Sequence, residues 1–222
     1  MPGEEGPDKA TRDSVWVSAR TELWIAWAEI AVERERDAFR GRRMAIRAMD
    51  ETERVAKGLE NETIGAMQTA VSAAACLETV GNNLAQFLAS PPRARRASNR
   101  FVDTVNAVFG PAIDRQLNDA VNDVFTLRND TMHYRSDWQS VDIHPALGIR
   151  TTWVARMYSA EAAARSVTTL ISVLRVATNP GRSSSDPAEF WAIHWRTLPD
   201  ELQASRAKGF PAVPRLRSNP LK

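Results

Sequence analysis

One cysteine and three histidines in 222 residues leave little material for thiol or metal chemistry. Cys76 by itself forms no intramolecular disulfide and no cysteine-based zinc site, so the expectation is no metal, no cofactor and a reducing, cytoplasmic compartment. Long apolar runs are also missing. The nearest, residues 63–89, is rich in Ala, Thr, Gln and Asn and contains Glu78, so no membrane span is expected. The first fifteen residues carry Glu4, Glu5, Asp8 and Asp13 and no apolar stretch, so no secretory signal is read there. There is no Gly-rich phosphate loop and no Ser or Cys in a nucleophile elbow. Alternating β-branched and aromatic residues are scarce, which argues against an all-β protein. A formal net charge of +2, from 29 basic and 27 acidic residues, excludes a strongly basic nucleic-acid-coating protein.

What remains is ordinary globular material, 43% hydrophobic and 25% charged. The pattern predicts an all-α fold, a helical bundle of four to five main helices with a short C-terminal appendage. Residues 1–13, with Pro2, Gly3, Gly6 and Pro7, read as a flexible leader, and 14–180 as the bundle. Residues 181–205 read as short aromatic helices around Phe190, Trp191 and Trp195, and 206–222 as a Pro/Arg-rich tail. In the first helix Trp16, Leu23, Trp27 and Ile30 mark the apolar stripe, widened by Trp24, Ala28 and Ala31. A break near Gly41 is allowed for, and the helical pattern reaches Gly58. Asn61 is expected to cap the next helix, the most apolar of the chain, with Ile64, Met67, Val71, Ala74, Leu77, Val80, Leu84 and Leu88 on its face. Pro91-Pro92 ends it. Arg93, Arg95, Arg96 and Arg100 follow with no acid among residues 91–100, a modest phosphate-attracting patch. Gly110-Pro111 is read as a helix start, Ser159 as the cap of the last strong helix, and Ile149 to Val154 as a short strand or an extended loop.

The stripe Ile113, Leu117, Val121, Val124 and Phe125 carries an unusual continuation. Arg128 lies seven residues past Val121 and so falls about 20° from it on a helix. An arginine on the bundle side needs an anion, and Glu78, the lone charge between Thr63 and Pro92, is the candidate. A purely structural ion pair is one reading. The other starts from the polar run Arg128-Asn129-Asp130-Thr131-Met132-His133, which pairs a fixed cation with a group that titrates near neutrality. Phosphate chemistry needs both.

Leu127-Arg128-Asn129 followed by His133, at the end of an apolar helix in an all-helical chain, resembles the Arg-x(4–6)-His signature of the HEPN superfamily (higher eukaryotes and prokaryotes nucleotide-binding domains). The run Ala74-Ala75-Cys76-Leu77-Glu78 and then Asn82 is similar to the acidic second helix of many members. The resemblance covers roughly residues 14–178. It implies a metal-independent endoribonuclease of toxin–antitoxin or phage-defence type that leaves cyclic-phosphate and 5′-hydroxyl ends. His133 would be the general acid or base and Arg128 the phosphate clamp, with Asn129 orienting and Glu78 fixing Arg128. It also implies a homodimer acting on RNA, with a nucleotidyltransferase-type antitoxin as a possible partner. On a straight helix Arg128 and His133 lie about 140° apart, so they need a helix end, a bulge or a second chain to converge. The alternative is a catalytically silent HEPN-like module that binds RNA, a nucleotide or a partner protein.

RNA contacts are expected from Arg93, Arg95, Arg96, Arg135 and Trp138, with Trp153 a further stacking candidate. Trp16, Trp24 and Trp27 fit core or dimer contacts better. Asp130, His133 and Asp137 offer metal-ligand atoms but no second histidine joins them. His144 and His194 read as turn or surface residues.

Overall fold

The alternation of four- and three-residue steps along the first helix dictates its partner face. Trp24, Ala28, Ala31, Glu35, Ala38, Arg42 and Ala45 follow that alternation, and all are at most 6% exposed. A spacing of 3.5 residues on average keeps one seam turned towards a neighbouring helix. In the computed structural model, which describes residues 9–133, 140–179, 181, 183 and 185–209 with side chains from Leu23 to Lys208, that seam belongs to α1 (Lys9–Arg47). The turn at residues 48–51 leads into α2 (Thr52–Ala85), which returns antiparallel along α1. At 1.5 Å per residue the two helices run about 58 and 51 Å.

Small residues permit this approach. A Cβ on Gly58 would stand 2.5 Å from the Ala45 nitrogen, and one on Gly65 would stand 2.6 Å from the Ala38 nitrogen. Gly41 packs in the same way against the backbone of Asn61 and Glu62. Two expectations are corrected here. Of the two readings at Gly41 the structure takes the unbroken one, since the missing side chain lets α2 lie against α1, but α1 ends at Arg47 and does not reach Gly58, which lies in α2. Asn61 is no cap, because α2 already begins at Thr52 and passes straight through it. The apolar stripe of α1 is also rotated from the expected one. Trp24 is fully buried whereas Leu23 and Ile30 are exposed, since the alanine positions and not the largest side chains set the seam.

The all-α chain adds α3 (Ala97–Phe109), α4 (Arg115–Met132), α5 (Trp153–Met157), α6 (Ala160–Ala177), α7 (Asp186–Trp195) and α8 (Leu198–Gly209). Helix α2 packs on α1, α3, α4, α5 and α6 and so is the central element; its charges gather in the first three turns, and from Thr63 onward Glu78 is the only one. Its Ala74, Leu77, Val80 and Leu84 are fully buried, while Ile64, on the expected face, is exposed. Burying each Leu or Val contributes about 1.5–3 kcal/mol.

Pro111 does not start a helix. Asn106 Oδ1 accepts from the Ala112 and Ile113 nitrogens and holds a turn, Gly110 takes φ +74°, and Asp114 then caps α4 by accepting from Leu117 N. Val141–Ile143 (β1) and Arg150–Thr152 (β2) form a two-stranded antiparallel hairpin with Val141 opposite Thr152 and Ile143 opposite Arg150. Among the described residues it is the only sheet.

The ends differ from expectation as well. Helix α1 begins at Lys9, inside the expected leader, and α8 continues to Gly209, past the expected start of the tail at 206. Arg206 anchors that extension by donating to both oxygens of the buried Glu35. Helices α7 and α8 share the main core, with Trp191 and Trp195 ring centroids 5.7 and 5.3 Å from Trp24. No helix among the described residues is long and apolar enough to cross a membrane.

Candidate functional site

Helix α4 crosses α2 where Val121, Val124 and Phe125 meet the core, and its last turn then carries Arg128 over Glu78. Arg128 Nη2 donates to Glu78 Oε1 at 2.6 Å, and the guanidinium lies 5.6 Å from the Phe125 ring centroid. The side chains are 26% and 37% exposed. A pair this open adds only about 0–1 kcal/mol to stability, so its place at the surface is not explained by holding the fold.

Glu78 also borders a cleft of about 350 Å³. Gly81, Asn82 and Ala85 continue its α2 wall, Pro91 and Pro92 close one end, and Ala97, Arg100, Phe101 and Thr104 of α3 form the opposite wall. Gly81 suits this closeness, since a Cβ there would stand 2.9 Å from Phe101 Cδ2 and the ring would have to shift. Arg93, Arg95, Arg96 and Arg100 are all exposed beside it, so an anion meets several cations and one already-paired carboxylate.

The structure thus brings Glu78 and Arg128 together, as helix arithmetic anticipates. Asn129 is exposed on α4. His133 is exposed at the end of α4, where φ −126° and ψ 121° have already left the helix. Its side chain is therefore not bound to the 140° offset from Arg128 that a continuing helix imposes. Arg135, Asp137 and Trp138 lie outside the described residues, and Trp153 opens the short helix α5. Among the described residues no three His, Cys, Asp or Glu side chains gather as metal ligands.

His144 is the residue that sequence reasoning placed wrongly. It occupies the hairpin turn but is 1% exposed, and its Nε2 faces Glu62 Oε2 at 3.3 Å without hydrogen-bond alignment. Its Nδ1 accepts from the Ala146 and Leu147 nitrogens, which leaves the proton of a neutral ring on Nε2. Glu62 Oε1 accepts from Arg42 Nε at 3.1 Å and from Ala160 N at 2.7 Å, so this α2 carboxylate caps the positive end of α6. Arg42 also donates to Glu161 through both terminal nitrogens. Burial works against the Arg42 charge, but the hydrogen bonds and charges of Glu161 and Glu62 outweigh it and raise its pKa. Arg42, Glu62 and His144 are buried while Glu161 reaches the surface, and the cluster joins α1, α2, α6 and the hairpin. Its sequence signal was the position of Glu62 in the Gly58, Glu62, Gly65 and Thr69 face that packs on α1.

The chain matches no protein-family model, no curated protein and no solved structure. Function therefore has to be argued from the arrangement of Glu78, Arg128, His133 and the cleft.

Proposed function

We propose that this chain is a metal-independent endoribonuclease of HEPN type. The observation that carries the reading is the Arg128–Glu78 hydrogen bond of 2.6 Å at the rim of an arginine-bordered cleft, held open to solvent, with His133 exposed at the end of the same helix. Glu78 fixes the guanidinium and leaves its remaining donors for phosphoryl oxygens.

In the reaction the RNA 2′-hydroxyl attacks the adjacent phosphorus and the 5′-oxygen of the next nucleotide leaves. His133 takes the 2′-hydroxyl proton or delivers one to the departing oxygen. Arg128 stabilises the additional negative charge on the phosphoryl oxygens, and Asn129 orients His133 or the phosphate. The products are a 2′,3′-cyclic phosphate and a 5′-hydroxyl. The same reading has the chain act as a cytoplasmic homodimer in toxin–antitoxin or phage defence, restrained by a nucleotidyltransferase-type antitoxin.

One observation favours a second reading, a catalytically silent module that binds RNA. Arg128 is already partnered by a carboxylate, which weakens its field at a phosphate.

The deciding experiment incubates mixed tRNA and mRNA with wild type and His133→Ala in EDTA and reads the chemistry of the new ends. Cyclic-phosphate ends made by wild type alone are the expected result. Equal cleavage by both proteins, or none by either, overturns the nuclease and leaves the binding module.

A further inference from the structure

The cleft between α2 and α3 has a composition that the cleavage chemistry does not use. At about 350 Å³ it sits at the lower end of the ~300–1,000 Å³ typical of small-ligand sites, enough for one compact ligand. Pro91 and Pro92 supply apolar surface suited to a flat ring, with the buried Phe101 behind the α3 wall. Asn82 stands one helical turn beyond Glu78 on the same α2 face, exposed and at the wall. Arg100 lines the opposite wall, with Arg93, Arg95 and Arg96 exposed nearby. Arg128 bonds Glu78 through Oε1 alone, which leaves Oε2 as a further acceptor on a residue that lines the cleft.

We infer that this cleft is a nucleotide subsite that selects bases bearing an amino group. Arg100 holds the phosphate, the ring lies against Pro91 and Pro92, and the Asn82 amide oxygen and Glu78 Oε2 accept from the exocyclic amine. Adenine, guanine and cytosine have such a donor and uracil has none. Because Glu78 also holds Arg128, occupancy of the cleft would set which phosphate reaches Arg128. This deepens the nuclease reading and rests on it for that last step, whereas base selection itself needs no cleavage.

The test titrates wild type, Asn82→Leu and Arg100→Ala with 5′-AMP, 5′-GMP, 5′-CMP and 5′-UMP, with inorganic phosphate and with oligoribonucleotides of A or U. Calorimetry reads the binding, and circular dichroism checks that each variant is folded. Wild type should bind the three amino-bearing nucleotides and oligo-A at least about tenfold more tightly than the uracil ligands. Asn82→Leu should abolish that ratio, and Arg100→Ala should weaken all nucleotides together. Binding of oligo-A without binding of AMP assigns the site to RNA, and tight AMP binding assigns it to free nucleotides as well. Equal affinity for all bases, affinity no greater than for phosphate, or preference unchanged in Asn82→Leu overturns the subsite. Unselective binding together with cleavage in EDTA would remove the subsite and leave the nuclease, while selective binding without cleavage would do the reverse.

Discussion

Gly65 of α2 and Ala38 of α1 meet so closely that a Cβ on Gly65 would stand 2.6 Å from the Ala38 backbone nitrogen. Replacing Gly65 by Ala gains about 1 kcal/mol of helix propensity, but the opposing atom is backbone and cannot rotate away. Overpacking of this kind costs about 1–3 kcal/mol and here must also push a pair of long helices apart. Gly65→Ala is expected to lower unfolding free energy by about 2 kcal/mol in urea. Gly81→Ala meets only the Phe101 ring, which can shift, so its loss should be smaller.

The two carboxylates of α2 that bind arginine should separate stability from activity. Glu62 is 1% exposed and serves Arg42 and the start of α6, so Glu62→Gln is expected to cost about 3 kcal/mol. Glu78 is 37% exposed, and Glu78→Gln should change stability by less than ~1 kcal/mol while reducing RNA cleavage. Denaturation curves beside turnover rates check this. Unchanged turnover in Glu78→Gln would remove Glu78 from the site.

Two acids that burial and arginine pull in opposite directions respond differently to pH. At Glu161 burial opposes ionisation, but the hydrogen bond and charge of Arg42 prevail and hold its pKa below the ordinary 4.5. Its contribution is complete above 4.5 and is lost as pH falls through the depressed folded value. At Glu35 burial prevails over Arg206 and raises the pKa, so stability is lost as pH rises from 4.5 through the raised value. The stability gap between wild type and Glu161→Gln should therefore shrink in acid. The gap between wild type and Glu35→Gln should shrink as pH rises to neutrality. Urea titrations at several pH values measure both.

Cys76 is fully buried, and burial pushes its thiol pKa well up. Thiolate is the reactive form, so native protein should resist iodoacetamide at neutral pH. Labelling should follow unfolding, with one adduct in urea by mass spectrometry. Rapid labelling of native protein would contradict the burial.

The candidate site was partly legible because a helix repeats every 3.6 residues. Arg128 continues the Val121 stripe, and Glu78 is the one charge between Thr63 and Pro92, so their pairing follows from periodicity, though the pair stands part-exposed and not buried. The cleft was not legible, since it needs α2, the Pro91-Pro92 turn and α3 at once. His144 does lie in a turn, but a turn residue is ordinarily exposed, and its burial against Glu62 of α2 comes only with the tertiary structure. Gly41 was left open because glycine signals both a break and a close approach, and the choice depends on a neighbouring helix.

The all-α class and the apolar second half of α2 were determined by the sequence itself, through propensity and periodicity, whereas α2 ends at Ala85, short of Leu88 and well before Pro91, so the prolines do not end it. Tertiary structure decided which face of α1 is buried and which charges are neutralised. Glu35 finds Arg206 across 171 positions and Glu62 finds Ala160 N across 98. Local preferences act over a turn or two of helix, whereas a buried charge is satisfied by whichever partner the packed chain brings within about 3 Å.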